Sequence, residues 1–142
     1  MMKILLFLVF PFLIISCGEN NDEAKIDGRW YTQSQVDNGR VVFGKNCAAC
    51  HGGNAQGTFS WTRKSSNGSY PPPPLDGTAH TWHHSLSMLK RTINNGGVPL
   101  GGKMPAFKEK LSESEKNEVI AFFQSQWNKK IYDAWIKRGG LN

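Results

Sequence analysis

Cys47-Ala48-Ala49-Cys50-His51 is the stretch on which the reading of this chain turns. The C-x-x-C-H spacing is the attachment signature of a c-type haem. Two thiols about one helical turn apart can add to the vinyl groups of neighbouring pyrroles, and the imidazole that follows reaches the iron from the same side. Two other readings compete. A thioredoxin-like redox pair needs a βαβ context, and no strand pattern surrounds the motif. Half of a zinc site needs a second pair of ligands, and the only other cysteine is Cys17.

Upstream, Thr32 to Asn46 reads as a helix, with Val36, Gly39 or Arg40, and Phe43 at helical spacing. Gly39 in a helix interior costs about 1 kcal/mol relative to Ala, which points to close approach by another helix. With Gly39 and Phe43 ahead of Cys47, Cys50 and His51, the chain resembles the class I (mitochondrial-type) cytochromes c over about residues 32–127. The resemblance implies an all-α fold in which the terminal helices cross around one covalently bound haem c.

Tyr70-Pro71-Pro72-Pro73-Pro74-Leu75-Asp76-Gly77 is extended and stiff, because each proline fixes φ. A polyproline docking ligand is the generic reading. The resemblance implies instead that the Pro73 carbonyl accepts from the His51 Nδ1–H and that Leu75 packs on the haem. Met104 lies in Gly101-Gly102-Lys103-Met104-Pro105, a loop from which a thioether can reach iron. By the same resemblance Met104 is the second axial ligand beside His51. Met88 falls on the apolar stripe of a helix over Ser85–Asn95, where methionine is ordinary packing. His80, His83 and His84, around Trp82, read as a solvated loop and helix start. A hydrogen bond near a haem propionate, a bis-His haem and a copper or zinc site are the other readings, and the spacing fixes no role.

Ser112 with Glu115 forms a capping-box pattern that opens a C-terminal helix continuing through Val119, Phe122 or Phe123, and Gln126 or Trp127. By resemblance, Phe122 meets Gly39 at the crossing. Asn128 to Gly139 adds a short helix beyond the compact family core, with Trp127, Ile131 and Trp135 on one face. It reads as packing on the parent domain. A partner-binding helix is the alternative, suggested by Lys129, Lys130, Lys137 and Arg138.

The 142 residues allow one ordinary domain. A chain 39% hydrophobic and 20% charged is neither largely disordered nor a multi-span membrane protein. Its formal charge of +6 is too diffuse to imply nucleic acid. Three cysteines argue against a simple disulfide framework. Lys3 precedes an uncharged run, Ile4–Ile15, which is signal-like and shorter than the roughly 20 apolar residues of a membrane span. An ordinary secretory signal is one reading. Ile14-Ile15-Ser16-Cys17 also resembles the lipobox of bacterial lipoproteins, which implies cleavage before Cys17 and lipidation of its sulfur. The expected organisation is a signal peptide over 1–16, a lipidated cysteine and flexible tether over 17–31, the haem domain over 32–127 and a helical extension over 128–142.

A haem iron with His and Met ligands has no open site for substrate and exchanges one electron with little rearrangement. The expectation is therefore an exported, monomeric electron carrier, lipid-anchored to a bacterial membrane facing the periplasm and not itself an enzyme. Lys45, Lys103, Lys108 and Lys110 would steer an acidic redox partner, or are simply solvated. The family implies a respiratory complex, terminal oxidase or periplasmic redox enzyme as partner. A haem enzyme or redox sensor with a labile Met104, and a scaffold lipoprotein subunit, are the competing classes.

Overall fold

A computed structural model describes residues 23–142. The signal peptide and lipidated Cys17 expected from the sequence lie outside the described residues. Five α-helices follow in order: α1 (Gln33–Asn46), α2 (Ala48–His51), α3 (Leu86–Asn95), α4 (Glu113–Ser125) and α5 (Lys129–Lys137). Short 3-10 turns cover His80–His83 and Val98–Leu100. Among the described residues there is no strand, only an isolated bridge between Lys25 and Thr32. The all-α expectation holds.

Capping boxes set two of the helix starts, the one at Ser112 as read from the sequence and a second at Thr32. Thr32 accepts from the Gln35 N–H while Gln35 returns a bond to the Thr32 N–H, and Ser112 and Glu115 do the same for α4. Val36, Gly39 and Phe43 form the buried face of α1. There α1 crosses α4: a Cβ built on Gly39 would overlap the Glu118 carbonyl and lie 3.0 Å from Phe122 Cβ. The Phe43 and Phe122 rings meet with centroids 5.0 Å apart.

Helix α4 is buried on more than one face, with Val119, Ile120, Ala121, Phe122, Phe123 and Gln124 all inside. Even Lys116 is only 3% exposed. Its Nζ donates to Glu113 Oε1 (2.6 Å) and to Asn94 Oδ1 (2.7 Å), which ties α3 to α4. Glu113 also pairs with Lys90 of α3 at 2.8 Å.

Segments outside the helix crossing supply further cover for α4. Asn128 caps α5, whose inner face is Ile131, Tyr132 and Trp135. Bonds from Gly140 N–H to the Trp135 carbonyl and from Gly139 N–H to the Ile136 carbonyl close α5 in a Schellman arrangement, with Gly139 at φ 80°. From the other end of the chain, Arg29 donates to the Trp127 carbonyl (3.0 Å) and sits 4.0 Å over the Tyr132 ring. Trp30 Nε1 donates to Gln124 Oε1 (2.6 Å), and Tyr31 is buried. The packed body thus starts before the boundary at Thr32 expected from the sequence. Ile26–Tyr31 is docked rather than tether, because the chain carbonyls at the end of α4 and the aromatic face of α5 give Arg29, Trp30 and Tyr31 partners that water would otherwise supply.

Candidate functional site

Cys47 ends α1, and Cys50 and His51 lie on the single turn α2. Both thiols are free. Burial pushes the Cys47 thiol up to about 11, the neighbouring Cys50 adds to this, and Lys110 opposes it, so at neutral pH Cys47 is a thiol rather than a thiolate. His51 is 8% exposed. Burial lowers its pKa, the Pro73 carbonyl opposes that shift, and the ring is neutral at pH 7.

The His51 Nδ1 lies 3.0 Å from the Pro73 carbonyl oxygen. A carbonyl can only accept, so Nδ1 carries the proton and Nε2 keeps its lone pair. No hydrogen bond reaches Nε2 among the described residues.

The proline run is held in an unusual way. Pro71 to Pro74 have no N–H to donate, so the segment can be fixed only through its carbonyls and through Leu75. Four consecutive carbonyls are each taken. Thr58 N–H donates to Pro72 (2.9 Å), His51 to Pro73, Thr81 Oγ1 to Pro74 (2.9 Å) and Trp127 Nε1 to Leu75 (2.7 Å). The Leu75 N–H donates to Ala55 (2.7 Å). Gly57, at φ 59°, lets its backbone lie directly against Pro73 and Pro74, and a Cβ there would fall 2.6 Å from the Pro73 oxygen.

Met104 is half-buried and packs against the same apolar core as Cys47, Ala48, Leu75 and Trp82. Its main chain is gripped by two glycines. Gly97 N–H donates to the Met104 carbonyl (3.0 Å), and a Cβ on Gly96 would meet that same oxygen at 2.6 Å. The proline run and the Met104 loop are joined by a bond from Tyr70 N–H to the Gly101 carbonyl (2.8 Å).

Two thiols on adjoining turns, an imidazole with a free Nε2, and a thioether on a separately anchored loop are a donor set that suits a covalently attached haem. Cys47 and Cys50 would hold its periphery, and His51 and Met104 its iron. Leu75 is half-buried beside Pro74 and packs on the same core.

The other histidines form no such set. His80 stacks on Trp61 (4.7 Å, 17°) and meets His84 edge-on (5.2 Å), while His83 lies against Trp82 (4.0 Å). Among the described residues no group of three or more His, Cys, Asp and Glu could hold a metal ion. Burial and the neighbouring imidazoles lower the pKa of His80 and of His84. Lys45, Lys103, Lys108 and Lys110 are exposed. Thr81 and Trp127, which fix the proline carbonyls, carry no signal of that role in the sequence. Their partners lie 7 and 52 residues away.

Comparison with known proteins is consistent with this arrangement. Residues 34–123 match the family described as cytochrome c oxidase, cbb3-type, subunit III. A cbb3-type cytochrome c oxidase subunit CcoP of Azospirillum sp. (strain B510) is 29% identical over 97 residues, covering 68% of this chain and 30% of that protein. CcoP of Azospirillum brasilense is 33% identical over 87 residues, covering 61% of this chain and 27% of that one. Cytochrome c6 of Synechocystis sp. (strain ATCC 27184 / PCC 6803 / Kazusa) is 29% identical over 101 residues, 68% and 69% of the two chains. The chain thus spans less than a third of the two CcoP subunits. No solved structure gives a significant match.

Proposed function

The chain belongs to the cytochrome c family that includes the cbb3-type oxidase subunit III domain, and from that premise we propose that it is a one-electron carrier with a single covalently bound haem. The observation that carries this reading is the bond between His51 Nδ1 and the Pro73 carbonyl, which leaves Nε2 as the one free lone pair on a neutral ring. A haem held there supplies a one-electron couple. The chain's own part would be to attach it through Cys47 and Cys50 and to offer His51 and Met104 as iron ligands from separately anchored segments. A histidine and methionine ligand pair favours the reduced state relative to two histidines.

Lipidation of Cys17 would tether this domain to a membrane through the residues before Ile26. Among the described residues no helix is long and apolar enough to cross one. The exposed Lys45, Lys103, Lys108 and Lys110 would guide an acidic surface of a redox partner, a subunit of an oxidase complex being one candidate, with rates that fall as salt rises. The partner reading is supported by the CcoP relatives.

The test is carbon monoxide binding to the reduced protein. A stable Met104 ligand predicts slow and slight binding at neutral pH, and Met104→Ala predicts prompt binding. Prompt binding by the wild type would favour the enzyme or sensor class. Cys17→Ala should move the protein from the membrane fraction to the soluble one. Absence of the wild type from membranes would contradict the anchor.

A further inference from the structure

The family match ends at Phe123, yet the last of the four bonds on the proline run comes from Trp127, beyond it. We propose that Trp127 is a positioning residue for the axial ligand His51, acting through the Leu75 carbonyl, and that α5 and Arg29 hold its indole in place. This rests on the reading of His51 as the iron ligand.

The indole is fixed on several sides. Trp127 is 2% exposed. Arg29 donates to its carbonyl at 3.0 Å. Trp135 of α5 meets its ring edge-on, with centroids 5.9 Å apart, and Phe123 lies at 6.3 Å. Beneath it is Gly77, at φ 90°, where a Cβ would stand 3.0 Å from Trp127 Cδ1. In turn Trp135 Nε1 donates to the His84 carbonyl (2.8 Å), so α5 is itself anchored to the segment after the proline run.

The consequence for His51 follows from the lack of donors in the run. Pro73 and Pro74 have no N–H, so the peptide planes from Pro73 to Leu75 are oriented by what their carbonyls accept and by the single Leu75 N–H bond to Ala55. Trp127 fixes the Leu75 carbonyl, two residues from the Pro73 oxygen that accepts from the His51 Nδ1–H. Without the indole N–H, the part-buried Leu75 carbonyl loses its partner, and the run is freer to turn. A longer bond from His51 Nδ1–H to Pro73 makes the imidazole a poorer electron donor and stabilises the ferric state less. The reduction potential should therefore rise.

The experiment uses the haem-loaded protein with Trp127→Phe and, separately, with benzothienylalanine placed at position 127, which keeps the bicyclic shape and replaces only the N–H by sulfur. The expected result in both is a shift of about threefold toward the reduced form at fixed applied potential, or about 28 mV at 59 mV per decade for one electron. The His51 Nδ1 proton, followed by NMR, should exchange with solvent faster. Trp135→Phe, which loses the bond to His84 and loosens the support of the indole but leaves the Trp127 N–H, should shift both by less. A benzothienylalanine protein with the wild-type potential and exchange rate would overturn the proposal. So would a Trp135→Phe shift of equal size, because generic packing would then explain the effect. The underlying reading fails separately: wild-type protein without covalent haem would overturn that reading, and this proposal with it, before any potential is measured.

Discussion

Helix α1 contains two glycines in contrasting surroundings, and alanine at each should change stability in opposite directions. Gly44 has nothing within 4 Å of an added Cβ, and its φ is not positive. Alanine there should stabilise the protein by about 0.5–1 kcal/mol, because the unfolded chain loses freedom and the helix keeps all its contacts. Gly39 has the same intrinsic gain to offer, but its added Cβ would overlap the Glu118 carbonyl of α4. That neighbour is helical backbone and cannot swing aside, so the two helices must part. Parting them loosens the Phe43–Phe122 contact and the Arg40 guanidinium that lies 5.2 Å over the Phe122 ring. Overpacking of this kind costs about 1–3 kcal/mol. Net of the helix gain, Gly39→Ala should destabilise by roughly 0.5–2 kcal/mol, so the two variants, which share that gain, should differ by the overpacking cost of about 1–3 kcal/mol. Urea unfolding of the haem-loaded proteins, followed by far-UV circular dichroism, measures this directly. Gly39→Ala equal to or more stable than wild type would refute the close crossing of α1 and α4.

Two further outcomes follow from the polar contacts and the site. Glu113 is held at about 2, well below the usual carboxylate range, by bonds from Lys116 and Lys90. Its stabilising effect should be complete above about pH 4.5 and fade as pH falls toward 2, so the urea midpoints of wild type and Glu113→Gln should differ most near neutrality and converge in acid. A gap that persists unchanged at pH 2 would contradict the ion pairing. Gly57→Ala forces an L-residue to φ 59° and drives its Cβ against Pro73 and Pro74. It should lower both the unfolding midpoint and the haem-to-protein ratio, and a variant with wild-type values of both would contradict the role given to Gly57.

Much of the fold was legible because the informative residues act locally. Ser112 with Glu115 is a bond within one turn and marked its helix start in the sequence; the Thr32–Gln35 and Asn128–Ile131 caps are equally local, at helix starts read from the spacing of apolar residues. Gly39 was legible for another reason, since a glycine in a helix interior is costly unless something comes close. The C-x-x-C-H run could be read because spacing along the chain sets its chemistry, whereas Pro73 was reached only through the family resemblance. What the sequence hid is non-local. Lys25–Arg29 is polar and aperiodic, so it resembled tether. Arg29, however, finds its partners on Trp127 and Tyr132, far along the chain. The adjoining aromatics Trp30-Tyr31 were the available signal that this segment docks. Nothing in the sequence singles out Lys116, which is buried by the approach of α3 with Asn94. Trp127 was placed on a packing face, yet its indole N–H does something periodicity cannot show: it takes the carbonyl of Leu75 in a segment with almost no donors of its own.

The central claim is covalent attachment of one haem through Cys47 and Cys50, and the most direct measurement is haem staining after denaturing electrophoresis, paired with intact mass. The wild type should retain a stained band and carry the mass of one haem, and Cys47→Ser with Cys50→Ser should lose both. A wild-type chain that sheds its haem on denaturation, or a double variant that keeps it, would contradict the account.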